Sequence, residues 1–138
     1  MRFGEVELHV LWPPPGADSE NDDSVVLKLR FRNRSILLTG DIEKKTEAAL
    51  TTTDLRADVV KVAHHGSRTS STEPFVTATK PRYAIISVGR DSMFGHPHAE
   101  VVQRWQAVGA EVLTTGECGT ITVTTDGTDL WLKKFTEN

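Results

Sequence analysis

"ILLTGDIEKKTEAALTTTDLRADVVKVAHHGS", residues 36 to 67, is the stretch whose reading decides the fold. An apolar run ends at Thr39-Gly40-Asp41. Glu43 to Leu50 then carries strong helix formers. Asp54 to Ala57 returns the chain to a second apolar run, Val59 to Ala63. Short apolar runs bounded by Gly and Asp read as buried strands, so the order is strand, helix, strand. Both strands end on polar residues: Asp41 on the first, His64 and His65 on the second. Strands that share a direction bring such ends to one rim of a sheet.

Working outward, EVELHVL (5–11) is a weakly alternating strand stopped by Trp12 and the run Pro13-Pro14-Pro15-Gly16. A polar loop, ADSENDDS, leads into two strands, SVVLKLRF and SILLTG, joined by a short turn at Arg32-Asn33-Arg34. On the far side, Glu73 to Thr79 is a short helix. Ser70 and Glu73 have capping-box spacing, and Pro74 is tolerated in a first turn. YAIISVG (83–89) is an apolar strand. Pro97 to Val108 is the clearest helix, with Val101, Val102, Trp105 and Val108 on one face and Gly109 as its stop. EVLTT, TITVTT and LWLKK complete the chain as strands, the last two joined at Asp126-Gly127. Strands at both ends with alternating helices and strands between predict an α/β fold: a mixed sheet with helices on one face.

The chain has 138 residues, enough for one domain with its own core. No apolar run reaches the roughly 18 residues of a membrane span, so no membrane contact is expected of this segment. The amino terminus lacks the pattern of a secretory signal and reads as a strand. A net charge of −3 and a pI near 5.9 argue against a generally basic phosphate binder, so affinity for nucleic acid would have to come from local groups, bound metal or another domain. The lone Cys118 lies in an expected turn, has no zinc-ligand spacing around it and is assigned no role. Trp12, Trp105 and Trp131 are too dispersed for a base-stacking platform and read as core or interface. His9 reads as a half-buried residue of an amphipathic strand.

Chemistry concentrates in three loops. Asp41 is either a helix N-cap or a metal-ligand carboxylate at a strand end. His64 and His65 would face opposite sides of an extended strand, so both enter one site only if the backbone turns between them, which Gly66 makes cheap. Imidazole near a strand-end carboxylate is part of a metal site; alternatively, one ring caps the strand while the other meets solvent. In FGHPHAE, His96 sits at an expected N-cap and Pro97 at the first helical position, near backbone N–H groups that favour anions, or else the two histidines serve as cap and surface. Ser67, Thr69, Ser70 and Ser71 add hydroxyls, while Arg68 and Arg90 add cations. Such a rim suits an anionic substrate, with Ser67, Arg68 and Ser70 as binding groups.

LLTGDIE, VAHHGSRTSS, the AIISVG strand and GHPHAEVVQRW together resemble the C-terminal half of the metallo-β-lactamase-like domain of the ComEC competence proteins of bacteria. The likeness runs from about Glu5 to the end of the chain. It implies an αβ/βα sandwich and a hydrolase with two divalent metal ions, zinc or manganese, acting on phosphodiester bonds, with DNA as substrate during uptake. By position, Asp41 resembles the carboxylate that bridges the metals and His65 the last metal ligand. His64 would then contact the leaving phosphate or support a ligand, and His96 and His98 match a GHPH motif with a substrate-binding or proton-donating role.

Two departures qualify the resemblance. The family's first histidine-rich motif, which supplies about half of the ligands, does not occur in this sequence, and Asn21, Asp22 and Asp23 stand where a further histidine is usual. Oxygen donors there would still suit manganese. The chain is thus expected to be either a piece of a longer protein or a natural half-domain that has lost its metals. Asp41 and His65 alone leave an ion mostly hydrated, so weak or no metal binding and no activity are expected of the isolated chain. Apolar sheet surface left open where the N-terminal half would pack predicts self-association through that face. The rival functions are a small phosphodiester or ester hydrolase of the same fold and an inactive structural half-domain. The parent protein is expected in the bacterial cell membrane.

Overall fold

The computed structural model describes residues 1–17 and 24–136. The stretch Asn21, Asp22, Asp23, considered above as an oxygen-donor segment, lies outside the described residues. A seven-stranded sheet runs in sequence order: β1 (Arg2–Phe3), β2 (Val6–Trp12), β3 (Val26–Phe31), β4 (Arg34–Leu38), β5 (Val59–Lys61), β6 (Tyr83–Ile86) and β7 (Glu111–Thr114). The first four strands pair antiparallel, whereas β4 to β7 are parallel to one another. Parallel pairing needs crossovers, and the helices α1 (Lys44–Leu50), α2 (Glu73–Thr79) and α3 (Ala99–Ala107) lie in the three connections.

Register separates the two faces. Lys28, Leu37, Val60, Ala84 and Val112 stand side by side across β3 to β7, and so do Leu29, Ile36, Val59, Tyr83 and Glu111 on the opposite face. The first row meets the helices. Leu37, Val60 and Ala84 are buried there with Leu50 of α1, Phe75 and Val76 of α2, and Val101 and Trp105 of α3. The fold class expected from sequence, a mixed sheet with helices on one face, is therefore present.

The second face carries a hairpin, β8 (Ile121–Thr125) and β9 (Leu130–Lys134). Its tip is tied to the β3–β4 turn by Asn33 N–H to Gly127 O (3.0 Å) and Arg34 Nε to Thr128 O (2.6 Å), and its base reaches β7 through Lys134 and Glu111. The hairpin leaves part of this face open. Val10 and Leu38, which share the face through Leu27, are 58 % and 36 % exposed.

Several local expectations need correction. Residues 115–118 form a short helix, α4 (Thr115–Cys118), started by Thr114 Oγ1 accepting from Glu117 N–H, so Cys118 is buried in a helix instead of lying in a turn. Helix α3 begins two residues later than the sequence indicates. Its N-cap is His98, while His96 and Pro97 precede it and are joined by a cis peptide bond. The capping box also fails: Thr72 is the N-cap of α2, and the Ser70 hydroxyl donates to Ile42 O (2.6 Å). His9 is exposed and pairs with Glu7 across 3.1 Å. Of the tryptophans, Trp105 is fully buried, Trp12 packs at the core's edge and Trp131 is half exposed.

Candidate functional site

The carboxy-terminal ends of the parallel strands β4, β5 and β6 form one rim. Just past β4, Thr39 donates its hydroxyl to Lys61 O, and Gly40 turns the chain in the left-handed region (φ 58°). Asp41 follows, exposed, with its N–H donating to Ser24 Oγ (3.0 Å). The N-cap of α1 is Glu43, so the capping alternative for Asp41 does not hold.

Beyond β5 the backbone makes a 3-10 turn over Ala63–Gly66, in which His64 (φ 50°), His65 (φ 54°) and Gly66 (φ 80°) are all left-handed. The turn expected at Gly66 runs through the histidines themselves. A left-handed conformation costs a residue with a Cβ about 1–2 kcal/mol, so two in succession store strain that the surroundings must hold. Several contacts hold it. His64 N–H donates to Gly40 O (3.1 Å), Ser67 N–H to His64 O (2.9 Å) and His98 N–H to Gly66 O (3.0 Å). Gly66 is wedged so tightly that a Cβ would lie 2.7 Å from Pro97 Cβ.

The turn aims the two rings at different carboxylates. His65 Nδ1 lies 2.6 Å from Ser87 O, an acceptor only, so the proton sits on Nδ1 and the Nε2 lone pair is free. That Nε2 is 3.9 Å from Asp41 Oδ1, too long for a hydrogen bond. His64 Nδ1 is 3.6 Å from Glu43 Oε1, and the Thr69 hydroxyl donates to the same carboxylate at 3.3 Å. Both pairs are open to solvent.

His96 and His98 join this group. Their ring centroids are 5.0 Å apart, and His96 lies 6.2 Å from His64. Arg68 N–H donates to His98 Nδ1 (3.1 Å), which leaves the His98 proton on Nε2. Desolvation first, and then the neighbouring rings of His98, His64 and His65, lower the pKa of His96. Below the rim, burial pushes the Lys61 ammonium pKa down while Asp41 pulls it back up.

The hydroxyl groups divide. Ser67 is buried and bonds to Thr69 Oγ1 (3.0 Å), and Ser70 is fully buried against Ile42 O, so both shape the loop instead of facing a ligand as expected. Arg68 is exposed and approaches Glu100 (3.8 Å). Arg90 bonds to Gly116 O and lies outside the cluster.

For a divalent ion, the donor chemistry of Asp41 and His65 fits: a carboxylate oxygen faces an imidazole nitrogen whose proton is held elsewhere. They supply two donors of a larger set. Among the described residues, no three His, Cys, Asp or Glu side chains are arranged to hold one ion.

No protein-family profile matches the sequence. The chain is 39% identical over 124 residues to ComE operon protein 3 of Bacillus subtilis, covering 88% of the chain and 16% of that relative. It is 36% identical to Recombination protein 2 of Haemophilus influenzae over 76% of the chain and 13% of the relative. With Competence protein ComA of Neisseria gonorrhoeae the identity is 34%, over 74% of the chain and 15% of the relative. The chain belongs to the ComEC family. It spans about a seventh of the length of these relatives.

In this ComEC-family segment, sequence reasoning found Asp41, the paired histidines and the GHPH loop but missed Glu43. The signal was present: Asp41-Ile42-Glu43 places two carboxylates on either side of the buried Ile42, at a strand end. The Ser87 carbonyl that fixes His65 carries no side-chain signal and was invisible.

Proposed function

We propose that this chain contributes the Asp41–His65 portion of a metal-dependent phosphodiesterase site that acts on DNA during competence. The observation that carries the reading is the His65 ring, pinned through Nδ1 to Ser87 O with Nε2 turned toward Asp41. The relatives' names, ComE operon protein 3 and Competence protein ComA, support the biological setting. A bound zinc or manganese would polarise a phosphoryl oxygen and activate water. The chain's own residues supply the rest. Asp41 and His65 offer donors, His64 lies 3.6 Å from the Glu43 carboxylate, and His96 and His98 present imidazoles within reach of an anionic group. With the proton on Nε2, His98 can donate to a phosphate oxygen; His96, its pKa lowered, stays neutral and can accept a proton near neutral pH. The open part of the second sheet face, around Val10 and Leu38, is where a preceding segment of a longer protein would pack and bring further ligands.

Calorimetric titration of the chain with zinc and with manganese tests the donor pair. Weak binding that Asp41→Asn and His65→Ala each abolish is the expected result. Metal-dependent cleavage of single-stranded DNA by the full-length parent, lost in the same variants, completes the test. Cleavage of small phosphodiesters alone would move the substrate to the rival hydrolase, and no cleavage by the parent would leave an inactive structural half-domain.

A further inference from the structure

The opposite rim of the same strands carries a second charged feature that the metal-centre reading does not use. A cleft of about 790 Å³ opens where the helical layer stops short of the amino-terminal ends of β4, β5 and β6. Seven of the chain's 16 Lys and Arg residues line it, against two carboxylates, Asp54 and Asp58. Both carboxylates are engaged: Asp54 holds Lys28 (3.1 Å), and Asp58 binds Arg34 (3.1 Å) while also accepting from Ser35 N–H (2.9 Å). Arg32 pairs with Glu5 outside the cleft. Among the described residues, Arg30, Arg56, Lys80 and Arg82 take part in no ion pair. All four are exposed.

Fold topology explains the clustering. Arg30 comes from β3, Arg56 from the segment entering β5, Lys80 from the end of α2 and Arg82 from the start of β6, so four separate segments deliver cations to one concavity. In a chain of net charge −3, this rim is the cationic pole and would orient a polyanion toward itself. Five of the seven cations are arginines, whose planar forks match phosphate oxygens and can stack on bases. None of the exposed large apolar side chains, such as Phe94, Trp131 or Phe135, lines the cleft, so it lacks the groups that a membrane-docking surface inserts.

We propose that this cleft, through Arg30, Arg56, Lys80 and Arg82, binds the phosphate backbone of a single nucleic-acid strand as a site separate from the histidine rim. At about 3.3 Å per residue, the extended run from Asp58 to Val62 alone puts on the order of 13 Å between the cleft and the turn that carries the histidines. A strand seated in the cleft therefore does not touch the histidines at the same point. The proposal goes beyond the metal-centre reading and does not depend on it.

Fluorescence anisotropy with a dye-labelled single-stranded oligonucleotide, in EDTA and at low salt, tests it on the chain as it stands. The expected affinity is that of nonspecific binding, on the order of 10⁻⁶ to 10⁻⁴ M at physiological salt and tighter at low salt. Arg30→Gln, Arg56→Gln and Arg82→Gln combined should weaken binding at least about tenfold and reduce the salt slope by about 2. Arg56→Glu with Lys80→Glu, whose side chains make no hydrogen bond or ion pair among the described residues, should do the same without disturbing the fold, as checked by thermal unfolding. Unchanged affinity in either set overturns the proposal, as does failure of the unaltered chain to bind. Loss in Asp41→Asn instead would place the strand at the histidine rim, and binding to anionic phospholipid vesicles without oligonucleotide binding would assign the cleft to a membrane. Because metal is absent throughout, failure here leaves the metal-centre reading standing, and failure of metal binding leaves the cleft standing.

Discussion

The two ends of the parallel strands are built by different rules. At the amino-terminal rim, left-handed residues occur singly where local structure calls for them: Arg32 in a hairpin turn, Lys80 as the cap of α2, Gly109 after α3. Asp58 braces Arg34 and Ser35 there, Asp54 holds Lys28 and Glu5 holds Arg32, while Arg30, Arg56, Lys80 and Arg82 have no carboxylate partner among the described residues. At the carboxy-terminal rim, two histidines in succession are left-handed, Ser71 (φ 59°) adds a third such residue, and the rings are fixed by carbonyls and amides from other loops. One rim collects charge with only isolated left-handed residues at a turn and a helix cap, which suffices to attract an anion. The other holds strain to aim particular nitrogens, which is what positioning for chemistry requires.

The sharpest way to break this contrast is to release the strained rim. Glu47 of α1 is fully buried and accepts from Ser71 N–H (2.5 Å) and Thr72 N–H (2.8 Å), clasping the loop that follows the histidines. Arg104 Nη1 donates to Ser71 O and Trp105 Nε1 to Ser71 Oγ, so three side chains from two helices, α1 and α3, converge on one left-handed serine. Glu47→Ala would leave two amides without partners, at about 1–3 kcal/mol for each buried donor. We expect urea unfolding to show a loss of about 2–4 kcal/mol, with the loss concentrated in amide protection of residues 64–72. A change below about 1 kcal/mol would mean that the strain is held elsewhere.

How much of this was legible in the sequence depends on where the determinants lie. Strand and helix order followed from apolar runs and breakers, because β4, α1, β5 and α3 each carry a pattern matched to their burial. Asp41, His64, His65, His96 and His98 were visible because they end apolar strands or begin a helix. The division of labour between them was not. It rests on a backbone acceptor, Ser87 O, and on dihedral angles that no local propensity assigns to histidine. Ser70 misled for a related reason: its spacing to Glu73 fits a capping box, but the long-range acceptor Ile42 O takes its proton. The basic cleft was hidden because its residues are scattered from position 28 to position 109 and come together only when the strands align.

A smaller effect of opposite sign sharpens the comparison. His64→Gly removes the steric penalty of one left-handed residue at the carboxy-terminal rim, where glycine adopts φ 50° freely. The expected gain is about 1 kcal/mol, reduced by the larger entropy that glycine brings to the unfolded chain. Thermal unfolding of His64→Gly beside His64→Ala separates strain from side-chain loss, because alanine keeps the penalty. Equal stability of the two variants would mean that strain relief only matches glycine's entropic cost, whereas a glycine variant less stable than the alanine one by that cost would show that the turn costs nothing and that the contrast between the rims is one of charge alone.

The smallest expected effect is a pH dependence that belongs to one rim only. Burial raises the pKa of Glu47 above its ordinary 4.5, opposed by the bonds from Thr72 and Ser71 and by the charge of Arg104. A carboxyl with a raised folded-state pKa binds protons more tightly in the native state than in the unfolded state. Its contribution is therefore fully present below pH 4.5 and is lost as pH climbs through the raised value. Glu47→Gln removes this titration. The stability difference between the unaltered chain and Glu47→Gln should then move against the unaltered chain as pH rises from 4.5, and level off once Glu47 is ionised in the native state. Denaturant midpoints across that range measure it. A difference that stays flat would mean that the amides of Ser71 and Thr72, with Arg104, offset the burial in full and that the clasp is ionised throughout.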